Sequence, residues 1–259
     1  MLKVEKQDGI ARVTLDRPDL RNAFDDELIK LLHDAFVSLG NDESVRVVIL
    51  AGNGPAFCAG ADLNWMKRMA KYGYAENLAD AEQLALMLAT LDRLPKPTIA
   101  RVHGPVFAGG TGLVAACDVA VGTPEAKFCL SEAKLGLSPA TISPYVIRAM
   151  GEREARRYFL TAEVFSAEEA FRIGLLSLLV SASELDSSID GLVNHLVAGG
   201  PEAHRKIKEL IRAVAGRPID DALAADTAKR IAEIRVSAEG REGIASFLEK
   251  RKPAWIGKR

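Results

Sequence analysis

Two glycine-rich segments hold the residues best suited to chemistry: Phe57-Cys58-Ala59-Gly60-Ala61-Asp62-Leu63, and His103-Gly104-Pro105-Val106-Phe107-Ala108-Gly109-Gly110-Thr111-Gly112. Small side chains let a ligand approach the main chain, and the first N–H groups of a helix are unpaired donors backed by its dipole. Two such turns facing each other would aim two N–H groups at one carbonyl oxygen. That is an oxyanion hole, whose donors are worth about 3–4 kcal/mol each once charge develops on the oxygen. Either turn alone reads more simply as close packing of a helix on a sheet. Glu132 is the candidate proton carrier. Among Phe128, Leu130 and Leu135 its carboxyl is expected to be desolvated and its pKa raised, as acid–base work near neutrality requires. The plain alternative is a surface or capping glutamate. Asp118, at a helix-to-strand corner, is expected to tie down backbone N–H groups. His103 is expected to make a structural hydrogen bond rather than to act as a base.

Gly110-Thr111-Gly112-Leu113-Val114-Ala115 also fits the GxGxxA dinucleotide pattern. Its setting argues against a nicotinamide site: the pattern belongs near the start of a βαβ unit with an acidic residue closing the next strand about 20 positions on, whereas here the next strand, Asp118–Val121, begins after barely two helical turns. Composition narrows the classes further. The 259 residues carry a net charge near −1, are 48% hydrophobic and 27% charged, and contain no long charged run. General binding to nucleic acid or to a membrane surface would need a basic footprint that is missing here. No metal site is expected, because Cys58, Cys117 and Cys129 have no CxxC spacing; they read as buried thiols in a reducing, cytoplasmic setting. Lys3, Glu5 and Lys6 lie in a strand-like pattern, not a signal peptide. The apolar window Val106–Val121 is too short and too broken by glycine to span a bilayer.

The positioning elements follow from periodicity. Val4 and Ile10–Leu15 flank an Asp8–Gly9 turn and read as a hairpin. Leu28, Leu32, Ala35 and Leu39 mark a helix expected to close at Gly40. Val45–Leu50 and Thr98–Val102 are buried strands, and Leu78–Leu94 is a helix stopped by Pro95 and Pro97. Ser166 with Glu169 forms a capping box for a helix ending at Gly174. Alternation of strand and helix to about residue 180 implies an α/β core, assigned to residues 1–190. Residues 191–259 read as helices (Pro201–Ala215, Ile219–Val236, Glu239–Lys250), a natural place for subunit contacts.

The two turns some fifty residues apart, followed by Phe128-Cys129-Leu130-Ser131-Glu132 and Leu135-Gly136-Leu137, resemble the crotonase (enoyl-CoA hydratase/isomerase) family. The likeness runs from Arg17-Pro18 and Arg21-Asn22-Ala23 to Phe247-Leu248-Glu249-Lys250-Arg251. It implies a spiral of ββα turns with a helical C-terminal segment that builds trimers, commonly paired into hexamers. It also implies an acyl-CoA substrate, with coenzyme A as part of that substrate and no separate cofactor, and a place in fatty acid or leucine breakdown. Carried over by position, the oxyanion donors are the N–H groups of Ala61 and Gly109. Ala59, Asp62, Leu63 and Gly110 border the coenzyme A thioester, and Phe247 and Lys250 reach a coenzyme A, often that of a neighbouring subunit. Core packing for Phe247 and a solvated helix end for Lys250 remain the alternatives.

One departure stands out. Hydratases of the family usually carry two glutamates; Glu132 matches the second, whereas the first falls at Gly112. Together with Asp62-Leu63-Asn64-Trp65-Met66 and Ser138–Tyr145, this resembles the bacterial methylglutaconyl-CoA hydratases. A substrate with its own carboxylate would make a second glutamate costly, and Gly112 is expected to remove one charge and open space. Lys67, Arg68, Lys134 and Arg148 are candidate cations for that carboxylate. Pocket depth is expected to depend on an adjustable segment around Trp65–Ala75. The alternatives are a double-bond isomerase, which needs a single acid–base group, and a coenzyme A-binding scaffold without catalysis.

Overall fold

Asp8 and Gly9 both adopt left-handed φ (51° and 80°), the pair a tight hairpin turn requires. They join β1 (Leu2–Gln7) to β2 (Ile10–Leu15) in an antiparallel register from Leu2↔Leu15 to Gln7↔Ile10. The computed structural model describes residues 1–257; Lys258 and Arg259, the end of the expected C-terminal unit, lie outside the described residues. Helix α1 (Asp26–Asn41) starts where Asp25 accepts the N–H of Leu28, and it buries Leu28, Leu32, Phe36 and Leu39. Gly40 sits inside its last turn rather than closing it; the chain leaves the helix at Asp42, whose φ is negative. Gly40 is instead a packing site, where an added Cβ would touch Leu94 and Pro95.

Strand β3 (Val47–Gly52) is buried at every residue, as expected of a parallel strand covered on both faces. Then come α2 (Leu63–Met69), α3 (Tyr74–Asp92), β4 (Thr98–Val102), β5 (Pro105–Phe107), α4 (Gly109–Ala116), β6 (Val119–Gly122) and β7 (Lys127–Cys129). A 3-10 turn over Ser131–Leu135 leads to α5 (Ser143–Thr161), which is broken at Gly151 (φ 79°). The chain continues through β8 (Phe165–Ser166), α6 (Ala167–Arg172), β9 (Leu178–Leu179) and the helices α7 (Leu185–Ala198), α8 (Pro201–Val214), α9 (Asp221–Val236) and α10 (Ala238–Leu248).

The large sheet has the order β1-β2-β3-β4-β6-β9, parallel beyond the first hairpin, and a small sheet has the order β5-β7-β8. Each passage lays a strand in the large sheet, then a short one in the small sheet, then a helical segment: β4-β5-α4, then β6-β7 and the turn into α5. This is the expected ββα spiral. The GxGxxA stretch fails as a dinucleotide site for the same reason, since β5 before α4 and β6 after it belong to different sheets. One face of the large sheet packs on α1, α3 and α4 through Val13, Leu15, Leu32, Phe36, Leu88 and Leu113. On the other face, Val47, Ile49, Ile99 and Val121 meet Leu185, Ile189 and Val193 of α7. A division at residue 190 therefore cuts α7; one after residue 198 keeps the helix with the sheet it covers.

The C-terminal helices are tied to the sheet by charge. Lys208 of α8, almost fully buried, meets Asp118 at 2.6 Å and the Lys96 carbonyl at 3.1 Å. Asp118 also accepts the N–H and hydroxyl of Thr98 at 2.8 and 2.9 Å. It ties down backbone as expected, and it holds a buried cation as well.

Candidate active site

The two glycine-rich turns lie against each other, and backbone bonds fix their spacing. Cys58 donates its N–H to the Pro105 carbonyl (3.2 Å) and accepts that of Phe107 (2.9 Å), an isolated parallel bridge to Val106. Glycine is required at both contacts. A Cβ on Gly110 would lie 2.5 Å from the Cys58 carbonyl oxygen. Gly60, at φ 94°, leaves only 3.2 Å to the Phe107 carbonyl and 3.3 Å to the Ala108 methyl.

On its other side the first turn is bonded to the segment after β2. Phe24 donates to the Gly60 carbonyl and accepts from the Asp62 N–H, both at 2.9 Å. In a parallel bridge of this kind the residue between the two bonded partners turns its own N–H the opposite way. The Ala61 N–H is therefore directed away from Phe24, towards the side on which Gly60 meets the second turn. It takes no backbone acceptor among the described residues.

The second donor is set by a strained residue. Ala108 has φ 48° and ψ −117°, a conformation that costs a non-glycine residue of order 1–3 kcal/mol. Its N–H is held by the Cys129 carbonyl (2.8 Å), and its own carbonyl accepts from Thr111 (2.9 Å) and Gly112 (3.3 Å). Gly109 then opens α4 with its N–H unbonded, as the first residue of a helix must. Ala59, Ala61 and Gly109 are partly open, whereas Gly60 and Gly110 are buried. Gly110 thus spaces the turns. Ala59 donates to Arg21 at 2.9 Å, and no protein donor among the described residues takes its carbonyl.

The bond from Ala108 to Cys129 also connects this pair of turns to Glu132, three residues further on. Glu132 lies in the 3-10 turn after β7, and its Oε2 is buried without a hydrogen-bond partner among the described residues. Burial raises its pKa above the usual 4.5, partly offset by its own N–H. Phe128 and Leu130 are buried as expected; Leu135 is 57% exposed and faces outward. Burial pushes the Cys58 and Cys117 thiols up to about 12 and raises Cys129 as well, so none is a ready nucleophile. His103 Nε2 donates to the Gly54 carbonyl at 2.8 Å, the structural bond expected of it. Among the described residues no three His, Cys, Asp or Glu side chains gather as metal ligands would. No described helix is long and apolar enough to cross a membrane. A cavity of about 770 Å³ lies at the far edge of the large sheet, lined by Asp8, Gly9, Arg46, Glu239 and Trp255; it contains neither turn nor Glu132.

Several expectations change. Gly112 does not open space: an added Cβ would fall inside the contact distance of Ile142 Cβ and Cγ2, because buried Ile142 fills that position. Trp65 is not part of an adjustable segment, being 3% exposed and bonded through Nε1 to Asp80 at 3.1 Å. The Asp62 carboxylate is occupied. It caps α2 through the N–H groups of Asn64 (2.7 Å) and Trp65 (3.2 Å) and meets Arg17 at 3.1 Å. Burial alone would raise its pKa, but those N–H groups and the guanidinium hold it below the usual value. Leu63, by contrast, is exposed. Arg68 is paired with Asp26 and Arg148 with Asp92, which leaves Lys67 and Lys134 as candidate cations. Phe247 is 82% exposed on α10, whose recorded packing is against α8 and α9. No hydrogen bond or ion pair joins Phe247 or Lys250 to either turn of the same chain among the described residues. Arg17, Asn22 and Ile142 stand in segments that carry the resemblance, yet neither they nor Phe24 has a role that the sequence alone reveals.

The profile of the family described as enoyl-CoA hydratase/isomerase matches residues 5–258. The short-chain-enoyl-CoA hydratase of Clostridium acetobutylicum is 31% identical over 255 residues, covering 96% of this chain and 95% of that protein. The carnitinyl-CoA dehydratase of Salmonella paratyphi A is 31% identical over 269 residues, covering 99% and 98%. The crystal structure of an enoyl-CoA hydratase from Shewanella pealeana superposes with a TM-score of 0.96 at 42% identity, covering 98% of this chain and 95% of that one.

Proposed function

The chain belongs to the enoyl-CoA hydratase/isomerase family, and from that membership we propose that it adds water across the double bond of a 2-enoyl-CoA, a carbon–oxygen lyase reaction. The observation that carries this reading is Glu132: a buried carboxylate oxygen without a partner among the described residues, three positions beyond the Cys129 carbonyl that holds the second of two turns presenting unbonded N–H groups. The thioester carbonyl accepts from Ala61 and Gly109. Glu132 takes one proton of a water molecule as the water oxygen bonds to C3, and the π electrons move onto the thioester oxygen. The resulting enolate is stabilised by the two N–H groups. Glu132 then returns its proton to C2, so H and OH are added and the protein is unchanged. The reaction requires no metal or redox cofactor; coenzyme A arrives with the substrate.

The finer proposal is a branched substrate with its own carboxylate, such as methylglutaconyl-CoA, in a cytoplasmic pathway such as leucine breakdown. A single glutamate, and Lys67 and Lys134 without an acidic partner among the described residues, support it. Isomerisation of a 3-enoyl-CoA is the second reading, favoured by Ile142 standing where a second acid–base group would project. Assays of crotonyl-CoA, methylglutaconyl-CoA and a 3-enoyl-CoA separate the three. Coenzyme A at 100 times its Kd should stabilise the fold by about 2.7 kcal/mol and raise Tm, and NAD should not. Turnover of none of the three substrates, with no shift on coenzyme A, would refute the reading.

We also propose a trimer or a dimer of trimers. Ile219, Val236, Phe247 and Leu248 are exposed on or beside the C-terminal helices, an apolar surface of the kind subunit contacts cover. Light scattering should give the mass of three or six chains; the mass of one chain would refute this.

A further inference from the structure

Residues 17–25 make more bonds to the first turn than a connecting loop needs. Arg17 donates to the Ala23 carbonyl at 2.7 Å and pairs with Asp25 at 3.0 Å and Asp62 at 3.1 Å, with its side chain 13% exposed. Its own N–H is received by Asn22 Oδ1 at 2.9 Å. Fully buried Asn22, at φ 56°, gives both amide hydrogens to the chain entering the turn: to Asn53 at 2.8 Å and to Ala56 at 2.7 Å. Arg21 accepts from Ala59, and Phe24 is bonded to both neighbours of Ala61. The Phe24 ring also lies so close to Gly109 that any side chain there would overlap it, and Trp65 supports that ring with centroids 6.2 Å apart. One nine-residue segment thus touches the supports of both donors.

We infer that residues 17–25 are a clip that aims the two oxyanion donors, with Arg17 as a positioning residue acting through Asp62 on the Ala61 N–H. This rests on the oxyanion reading proposed above. Arg17 touches no substrate. Its guanidinium is a planar fork, and here the fork spans Asp25 at the start of α1 and Asp62 at the start of α2. Asp62 in turn fixes the first turn of α2 through two N–H groups, and its own N–H fixes the peptide next to Ala61. Loosening the fork lets that peptide rotate, and small misplacements of a donor are costly in rate. Ground-state binding of the coenzyme A moiety does not depend on that angle.

The test uses the full-length protein with crotonyl-CoA for turnover. An aryl-conjugated enoyl-CoA, whose absorption moves to longer wavelength as its carbonyl is polarised, reports on the donors. Arg17→Met should lower kcat by on the order of 10- to 100-fold. KM should stay within about threefold, as expected when an interaction of the transition state alone is lost. The absorption shift of the bound probe should shrink. Arg17→Lys keeps the charge without the fork and should recover part of both. Asp62→Asn keeps a capping oxygen but loses the ion pair, and should reproduce the Arg17→Met effects. The double variant should be no worse than either single one, because the two act as one unit. A folded Arg17→Met protein with wild-type kcat and the full shift would overturn the inference. If that variant fails to fold, the same result for Asp62→Asn overturns it. A wild-type protein that neither shifts the probe nor turns over any enoyl-CoA removes the oxyanion reading itself, and the clip's role with it.

Discussion

Glu132→Gln should leave fold and thioester binding intact while lowering turnover about 100-fold or more, the scale of lost general acid–base catalysis. Glutamine keeps the shape and the polar contacts but cannot accept and return a proton. The proposed cycle has no second carboxylate to take over, so the loss should appear in kcat. The pH profile gives an independent check. Burial holds the Glu132 pKa above the usual 4.5, and the working form is the carboxylate. The acid limb of kcat/KM should therefore lie above the ordinary glutamate range and vanish in the glutamine variant. Stability has the opposite sign. A raised folded pKa means that the native state binds the proton more tightly, so the Glu132 contribution is greatest below 4.5 and falls as pH rises through the shifted pKa. At neutral pH the glutamine protein should be as stable as wild type or more so. Full activity in Glu132→Gln would end the catalytic assignment.

A carboxylate restored at position 112 is expected to turn the enzyme against anionic substrates. The single change Gly112→Glu is a poor test, because the new Cβ would overlap Ile142 and overpacking alone costs about 1–3 kcal/mol. Pairing Gly112→Glu with Ile142→Ala removes the closest contact, that with Cγ2 at 2.3 Å, and leaves the Cβ of residue 142, 2.8 Å away, for a small backbone shift to accommodate. Two charges about 5 Å apart at an effective dielectric near 20 repel by roughly 3 kcal/mol, or about 100-fold in rate. In the double variant, kcat/KM for methylglutaconyl-CoA should fall by about that factor relative to crotonyl-CoA, with Ile142→Ala alone as the baseline. Protonation of the new glutamate would reduce the effect at low pH and restore it as pH rises. An unchanged ratio across that range, in a folded protein, would remove the charge argument for a carboxylated substrate.

The parts of the fold readable in advance were those determined locally. Asp8-Gly9 announces its turn through backbone freedom, and the apolar run Thr98–Val102 is a buried strand with the expected bounds. The turns and Glu132 were legible because small residues before a helix, and a carboxylate among apolar neighbours, carry a chemical meaning of their own. Periodicity shows that a residue is buried, but not what it is buried against. Ile142 lies 30 positions from Gly112, and nothing near either shows that one fills the place of the other. Arg17 and Asp62 are 45 positions apart, and nothing local to either shows that the two form an ion pair. Gly40 misled for a related reason: a glycine near a helix end signals a stop, yet here it makes room for Leu94 and Pro95.

The fit between Gly112 and Ile142 also constrains the order in which this site could change over generations. Enlarging position 112 first is blocked by overlap, and shrinking Ile142 to alanine first leaves a core cavity costing about 2–5 kcal/mol. Either step could consume much of a stability margin of about 5–15 kcal/mol. Ile142→Val, at about 0.5–1.5 kcal/mol, offers no milder way in, because valine keeps the Cβ and Cγ2 that meet position 112. A lineage that once lost the first glutamate and then packed an isoleucine into its place has closed the direct road back. One-carboxylate and two-carboxylate sites would then drift apart as separate lines, even while the rest of the spiral stays interchangeable between them.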